Sequence, residues 1–271
     1  MRARGGRVTP DRFAGRTVVL SGGGRGIGEA TARRFAAEGA DVLLVARTAS
    51  EIEAVAADIV AGGGRAWSRA ADVADAAAVN ETVAAARERW GRIDVLVNCA
   101  GIDHDAPFLD FPDEAWHRVL AVNLTGAFLM AQRVARVMAA TGGGAIVHVS
   151  SIDAYGADGS QVAYNASKAG MLGLSRTMAM ELARHGIRSN VVAPGYTATP
   201  LTRQYVGAVM YEYMTQDFDR IPQRRMATPE EIAAAVLFLA SDDAAAVTGS
   251  ELVVDGGTIA NLYVVETLPT A

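Results

Sequence analysis

Tyr164-Asn165-Ala166-Ser167-Lys168 sets a phenol and an ammonium four residues apart, which on a helix puts both side chains on one face. An ammonium beside a phenol favours the phenolate, so the tyrosine pKa is expected to fall and the hydroxyl to become a usable proton donor or acceptor. Taken alone, such a pair arises by chance in many helices. A second group is Ser21-Gly22-Gly23-Gly24-Arg25-Gly26-Ile27-Gly28, a glycine-rich turn that follows a β-branched run and opens the helical stretch Glu29–Glu38. Glycines let the backbone approach a pyrophosphate, and the free N–H groups at the helix start, with the helix dipole, favour that anion. Tight turns also need glycine. The strand before this turn and the helix after it are what point to a dinucleotide.

Where NAD-binding folds usually carry an acid for the ribose 2′-OH, at the end of the second strand, this sequence reads Ala46-Arg47-Thr48. No carboxylate stands there to repel a 2′-phosphate. Arg47, and Arg25 in the glycine turn, can pair with one in bidentate fashion. NADP(H) is therefore the expected cofactor, with NAD(H) as the alternative; a solvated strand-end arginine is the plainer account of Arg47.

The elements that must position these groups repeat. From Thr17 onward, short β-branched runs alternate with amphipathic stretches rich in Ala, Glu and Arg, the order of βαβ units. Strands are expected at Thr17–Ser21, Asp41–Ala46, Ala66–Arg69, Val95–Asn98, Ala145–Ser150, Arg188–Val192 and Glu251–Val254. This order predicts an α/β fold: a doubly wound, mostly parallel seven-stranded sheet with helices on both faces, Rossmann-like, with ligands at the carboxyl ends of the strands. Gly62–Gly64 and Gly142–Gly144 fall between helices and strands and read as helix stops.

Pro194 to Arg225 shows no strand pattern but holds Tyr196, Tyr205, Met210, Tyr211, Tyr213, Met214 and Phe218. Long excursions of this kind are usually lids or binding loops, so a substrate lid is expected over about 194–226. Its aromatic and Met residues suggest an apolar or ring-bearing substrate, or equally a core or oligomer contact.

A chain of 271 residues, 51% apolar, can bury one sizeable core. The expectation is a flexible tail over 1–12, where Arg2, Arg4, Arg7 and Arg12 read as solvated, followed by a single domain over 13–271. A net charge of −5 with interspersed signs gives no basic face for nucleic acid. The single Cys99 excludes an internal disulfide and suits a reducing cytoplasm. No apolar run reaches the roughly 18 residues of a membrane span, and no apolar h-region follows the arginines at the start.

With these residues in order, the chain resembles the short-chain dehydrogenase/reductase family, in its compact single-domain branch, from about Phe13 to Gly257. The glycine turn Ser21 to Gly28 matches, with Ser where the family more often has Thr. Asp72-Val73 stands where the family flanks the adenine, and Asn98-Cys99-Ala100-Gly101 looks like its Asn-Asn-Ala-Gly segment with one substitution. Asn123 looks like its catalytic asparagine. Ser151 lies thirteen positions before Tyr164, the usual spacing of its serine, and Pro194-Gly195 with Thr197 resembles the segment that holds the nicotinamide amide.

The resemblance implies hydride transfer between NADP(H) and a ketone or secondary alcohol, with no metal. Tyr164 would be general acid in reduction and base in oxidation, and Ser151 would hydrogen-bond the substrate oxygen. Lys168 would lower the tyrosine pKa and bind the nicotinamide ribose, while Asn123 would hold a water that links the lysine to solvent. Asp103, His104, Asp153 and Tyr196 are candidate substrate contacts, although a solvated loop accounts equally for Asp103 and His104. Cys99 reads as a small buried hydrophobe. Family members are commonly homotetramers, and Asp113–Thr141 and Ser160–His185 are the stretches that would pair by two-fold symmetry. 3-Oxoacyl-carrier-protein reductases, sugar or polyol dehydrogenases and steroid or xenobiotic ketone reductases all stay open. A catalytically silent dinucleotide sensor is the rival from another class, and the intact Asn123, Ser151, Tyr164 and Lys168 set argues against it. Epimerase or dehydratase chemistry would normally need a larger substrate region than the stretch after Arg225 offers.

Overall fold

The computed structural model describes Thr9 and residues 11–261. Most of the expected tail thus lies outside the described residues, but Arg12 corrects that expectation. Its guanidinium stands 2.6 Å from the fully buried carboxylate of Glu38 and stacks over Phe13. A charge buried as deeply as Glu38 has to be paired, and Arg12 is one of the side chains that pair it.

Among the described residues, seven strands, β1 (Thr17–Ser21), β2 (Asp41–Ala46), β3 (Arg65–Ala70), β4 (Val95–Asn98), β5 (Gly144–Val149), β6 (Ile187–Pro194) and β7 (Glu251–Val254), form one sheet. All neighbours run parallel, in the order β3-β2-β1-β4-β5-β6-β7. The strand order reverses between β1 and β4, so the crevice outside their carboxyl ends is where such a sheet binds ligands. Side chains of a strand alternate between faces. Val18 and Leu20 join the core under α1 (Gly26–Ala37), α2 (Ala49–Ala61) and α9 (Pro229–Ala240), whereas Val19 joins the core under α3 (Ala76–Trp90) and α5 (Gly126–Thr141).

Two long stretches differ from their sequence expectation. Asp113–Thr141 is not continuous: α4 (Asp113–Leu120) and α5 are joined by one π turn, Ala121–Thr125, which holds Asn123. The wider turn frees backbone groups from the regular ladder, a device common at functional sites. The excursion after β6 folds into two short helices, α7 (Pro200–Val206) and α8 (Ala208–Gln216). Thr199-Pro200 starts the first of them, with the threonine hydroxyl accepting from the Thr202 N–H and proline at the first helical position. The helix that carries Tyr164 and Lys168, α6 (Val162–Leu182), begins two residues before Tyr164.

Candidate active site

The glycine turn folds against itself and against the exit of β4. A Cβ on Gly28 would lie 2.0 Å from the Gly22 carbonyl oxygen, and one on Gly22, at φ +78°, would lie 2.6 Å from the Ala100 nitrogen. Only glycine allows this approach. Arg25 caps α1 in extended conformation with no side-chain hydrogen bond to the first turn, which leaves orphan N–H groups for an anion.

The turn borders a groove of about 250 Å³. Gly22, Gly24, Arg25, Gly26, Ile27 and Gly28 line it, with Arg47 and Thr48 after β2, Asp72 and Val73 after β3, Ala100 and Gly101 after β4, and Pro194, Gly195 and Thr197 at the end of β6. These segments are far apart in sequence and meet because parallel strands end on one edge. Burial pushes the Asp72 carboxyl up, but the Ala74 N–H and Arg118 outweigh it and hold it below its ordinary value.

Ser21 and Asn98 do not line the groove. Ser21 braces the turn from beneath, its hydroxyl accepting from the Ala100 N–H at 3.4 Å. The buried Asn98 amide donates to the Ala127 carbonyl at 3.2 Å and meets His148 Nδ1 at 3.3 Å. Alternation along β4 turns Asn98 toward α5, and Cys99, one residue on, takes the groove wall. Glu51 and the Thr199–Thr202 segment also line the groove and carried no sequence signal for a cofactor, although Thr199-Pro200 does signal a helix start.

Tyr164 and Lys168 share the face of α6 that looks onto the end of β5. Lys168 is buried, donates from Nζ to the Val149 carbonyl at 2.8 Å, and stands 5.2 Å from the Tyr164 ring centroid. Burial pulls its pKa down to about 8. Ser150 ties the two elements together, donating to the Lys168 carbonyl at 2.9 Å. Ser151 leaves β5 extended and buried; its hydroxyl donates to Asp153 Oδ2 at 3.0 Å and accepts from the Asp153 N–H at 3.2 Å.

The expected lowering of the tyrosine pKa is reversed. Burial pushes the Tyr164 phenol up, Asp153 pushes it the same way, and only the Ser151 hydrogen bond pulls it down. The ammonium sits over the ring and is spent on a backbone carbonyl, so its field is outweighed at the hydroxyl.

Asn123 is fully buried. Its amide donates to the Ile102 carbonyl at 2.9 Å and to Ser167 Oγ at 3.0 Å, and Oδ1 accepts from the Ile102 N–H at 2.9 Å. The side chain thus clips the β4 exit to α6, and one lone pair of Oδ1 is left for a further donor. A Cβ on Gly101 would lie 3.6 Å from Lys168 Nζ and 3.7 Å from Asn123 Oδ1, so lysine and asparagine face one small space.

A second pocket of about 90 Å³ opens on the other side of Tyr164 and Ser151. Three of its walls are acids: Asp103, Asp153 and Asp158. Asp103 accepts from Gln161 and from the His104 N–H, and the Tyr196 hydroxyl donates to Asp158. Burial raises all three carboxyls, Asp153 up to about 6.

Of the aromatic and Met residues that suggested an apolar substrate, only Tyr196 and Tyr205 line this pocket, and both turn their hydroxyls to Asp158. Met214 is buried, and Met210 and Tyr213 are exposed elsewhere. His104 is exposed and stacks edge-on against Phe111, outside the pocket lining. Asp158 and Gln161 were not singled out from sequence because they come from a loop without a motif, whereas Tyr205 was noted only among the aromatics of the excursion after β6.

A family model described as enoyl-(acyl carrier protein) reductase matches residues 22–258. The short-chain reductase protein NovJ of Streptomyces niveus is 43% identical over 243 residues, 89% of this chain and 92% of that protein. The chain belongs to the short-chain dehydrogenase/reductase family. It is an oxidoreductase acting on CH–OH/C=O groups of small molecules. The D-threitol dehydrogenase of Mycolicibacterium smegmatis is 41% identical over 91% of this chain and 94% of its own length. A solved structure from Beutenbergia cavernae, named for an assigned NAD(P)-dependent gluconate 5-dehydrogenase activity and holding NADP at low occupancy, superposes with a TM-score of 0.87 at 38% identity, covering 93% of this chain and 100% of that one. No helix among the described residues is long and apolar enough to cross a membrane.

Proposed function

We propose that this protein is an NADP(H)-dependent oxidoreductase that interconverts a ketone and a secondary alcohol, with Tyr164 exchanging the proton. The observation that carries this reading is that Tyr164 and Ser151 form a common wall of the groove beside the glycine turn and the small polar pocket. The residues fit a nicotinamide dinucleotide: the cradle between Gly22 and Gly28 that a Cβ would fill, the uncapped start of α1, and a groove that continues to Lys168. Once bound, the nicotinamide supplies or takes up the hydride.

Ser151 holds the substrate oxygen, Tyr164 gives its proton to that oxygen in reduction and removes it in oxidation, and Lys168 holds the nicotinamide ribose. The Ser151 and Tyr164 hydroxyls stabilise charge that develops on the oxygen. Arg25 and Arg47 line the groove and favour the 2′-phosphate, and the NADP held by the relative named for gluconate 5-dehydrogenase agrees with that choice. Glu51 beside Gly24 opposes it.

Three acids in the substrate pocket disfavour anionic substrates and favour hydroxyl-rich neutral ones, which inclines the reading toward polyol or sugar oxidation, as in the relative named for D-threitol, over acyl-carrier-protein thioesters. Segment 194–226 acts as the lid, since Leu201, Thr202 and Tyr205 close the pocket. A homotetramer in the cytoplasm completes the proposal; the exposed Phe128 on α5 and Met180 on α6 support pairing of those helices with their copies.

The test is turnover of a panel of ketones and alcohols with both cofactors, repeated with Tyr164→Phe. That variant should lose about 10² to 10⁴ in turnover and still bind NADPH. Near-normal turnover with NADPH still bound sinks the assignment.

A further inference from the structure

We propose that Asp153 is a positioning residue that decides whether Ser151 gives or takes the hydrogen bond at the reacting oxygen, and so biases the site toward the carbonyl or the alcohol substrate. The inference rests on Ser151 holding the substrate oxygen, as proposed above. A serine hydroxyl has one hydrogen and two lone pairs. Here the Asp153 N–H occupies one lone pair at 3.2 Å, and Asp153 Oδ2 takes the hydrogen at 3.0 Å. What remains is a single lone pair. With Asp153 ionised, Ser151 is therefore only an acceptor: the O–H of an alcohol can donate to it, but a carbonyl oxygen finds no hydrogen there.

Protonating Asp153 inverts the pair. The carboxyl now has a hydrogen to give, Ser151 Oγ takes it, and the serine's own hydrogen is released toward a carbonyl oxygen. Tyr164 is the other described side chain that reaches the Ser151 hydroxyl.

The groups that face Asp153 are Asp103, Asp158, Lys168, Tyr164 and Tyr205. Burial, with Asp158 and Asp103, raises its pKa to about 6, while Ser151 and Lys168 oppose the rise. The exchange of roles thus falls at mildly acidic pH, below the range in which the Tyr164 phenol or Lys168 titrates.

The experiment measures binding without turnover. A ketone is titrated into the enzyme–NADP⁺ complex and the matching alcohol into the enzyme–NADPH complex, from pH 5 to pH 8. In the wild type, the ketone should bind about tenfold more tightly at pH 5 than at pH 8, the gain of a hydrogen bond from Ser151, and the alcohol should move the other way. Asp153→Ala should make both profiles flat, with the ketone bound at pH 8 as tightly as the wild type binds it at pH 5. Asp153→Asn, which keeps the size and cannot ionise, should be flat as well, so the idea stays testable if the alanine variant folds poorly.

A flat wild-type profile overturns the inference, as does a transition that survives in either Asp153 variant. A transition that survives in Ser151→Ala also overturns it, because Asp153 would then act on the substrate directly. Undiminished turnover in Ser151→Ala overturns instead the assignment of Ser151 on which the inference rests.

Discussion

The two pockets that meet at Tyr164 are built from different material. The cofactor groove is built at strand ends on one edge of the sheet, with backbone at the glycine turn where a Cβ would collide. The substrate pocket is walled by side chains of loops and short helices, among them Asp103, Asp153, Asp158, Gln161 and Tyr205. A backbone cradle tolerates little change, because moving it moves the sheet. A side-chain pocket can be recut residue by residue without touching the fold. One scaffold can thus keep its cofactor while its substrates vary.

The sharpest way to break this comparison is at the tightest backbone contact. Gly28→Ala would put a methyl 2.0 Å from the Gly22 carbonyl, so the turn must open and lose its fit to the pyrophosphate. NADPH affinity should fall about 100-fold or more, roughly 2.7 kcal/mol, read by quenching or transfer of nicotinamide fluorescence. Retained affinity would mean that the cradle is softer than its contacts imply.

Lys168 lines the groove and lies against Tyr164, which lines both pockets. Lys168→Met removes the proposed ribose contact and the Val149 bond, so NADPH affinity should weaken about tenfold and turnover should fall with it. Burial and Asp153 hold the Tyr164 phenol up, so the wild-type oxidation rate should climb with pH as the phenolate forms. Burial pulls Lys168 down to about 8, so the ammonium is gone before the phenolate forms, and the climb should stay in place in Lys168→Met. A climb displaced to higher pH in the variant would mean that Lys168 keeps its charge at the pH where the tyrosine titrates.

At the adenosine end the groove depends on side chains, and the comparison blurs. Arg47→Asp should weaken NADPH by more than about tenfold, roughly 1.4 kcal/mol, and improve NADH in relative terms. Wild-type preference for NADH would show that Glu51, beside Gly24, outweighs the arginines.

The same division explains what the sequence made legible. Four of the expected strands, Thr17–Ser21, Asp41–Ala46, Val95–Asn98 and Glu251–Val254, match to the residue, and the other three to within two residues at either end, because short runs between turn signals leave a clear pattern even where, as in β3 and β7, they are only half-buried. The glycine turn and the Tyr164–Lys168 pair were visible because close backbone approach and helical spacing constrain residue type. The π turn at Asn123 was not, since nothing in Ala121–Thr125 departs from an ordinary helix. Asn98 was misplaced because a strand-end residue reads alike whichever face it takes. The tyrosine pKa was misjudged because sequence supplies the partner at i+4 and hides both the burial and Asp153. Asp158 and Gln161 meet Asp103 only through the fold.

The smallest effect tests whether the acids of the substrate pocket carry a cost, as side chains held for function often do. Asp153 titrates near its ordinary 3.8 when unfolded and at about 6 when folded. An acid raised in this way contributes nothing below pH 3.8, where both states are protonated, and costs stability progressively as pH rises from about 4 to 6; above 6 the full cost persists. Asp153→Asn cannot ionise and still offers an oxygen to the Ser151 hydroxyl, so it should escape that cost. At pH 7.5 the variant should be the more stable by on the order of 1–2 kcal/mol, after allowance for solvent screening, or about 2–6 °C in Tm. At pH 4 the gap should close. Scanning calorimetry at the two pH values reads the difference directly. An equal gap at both would mean that Asp153 is ionised at no expense, and that the substrate pocket is held as cheaply as the surface around it.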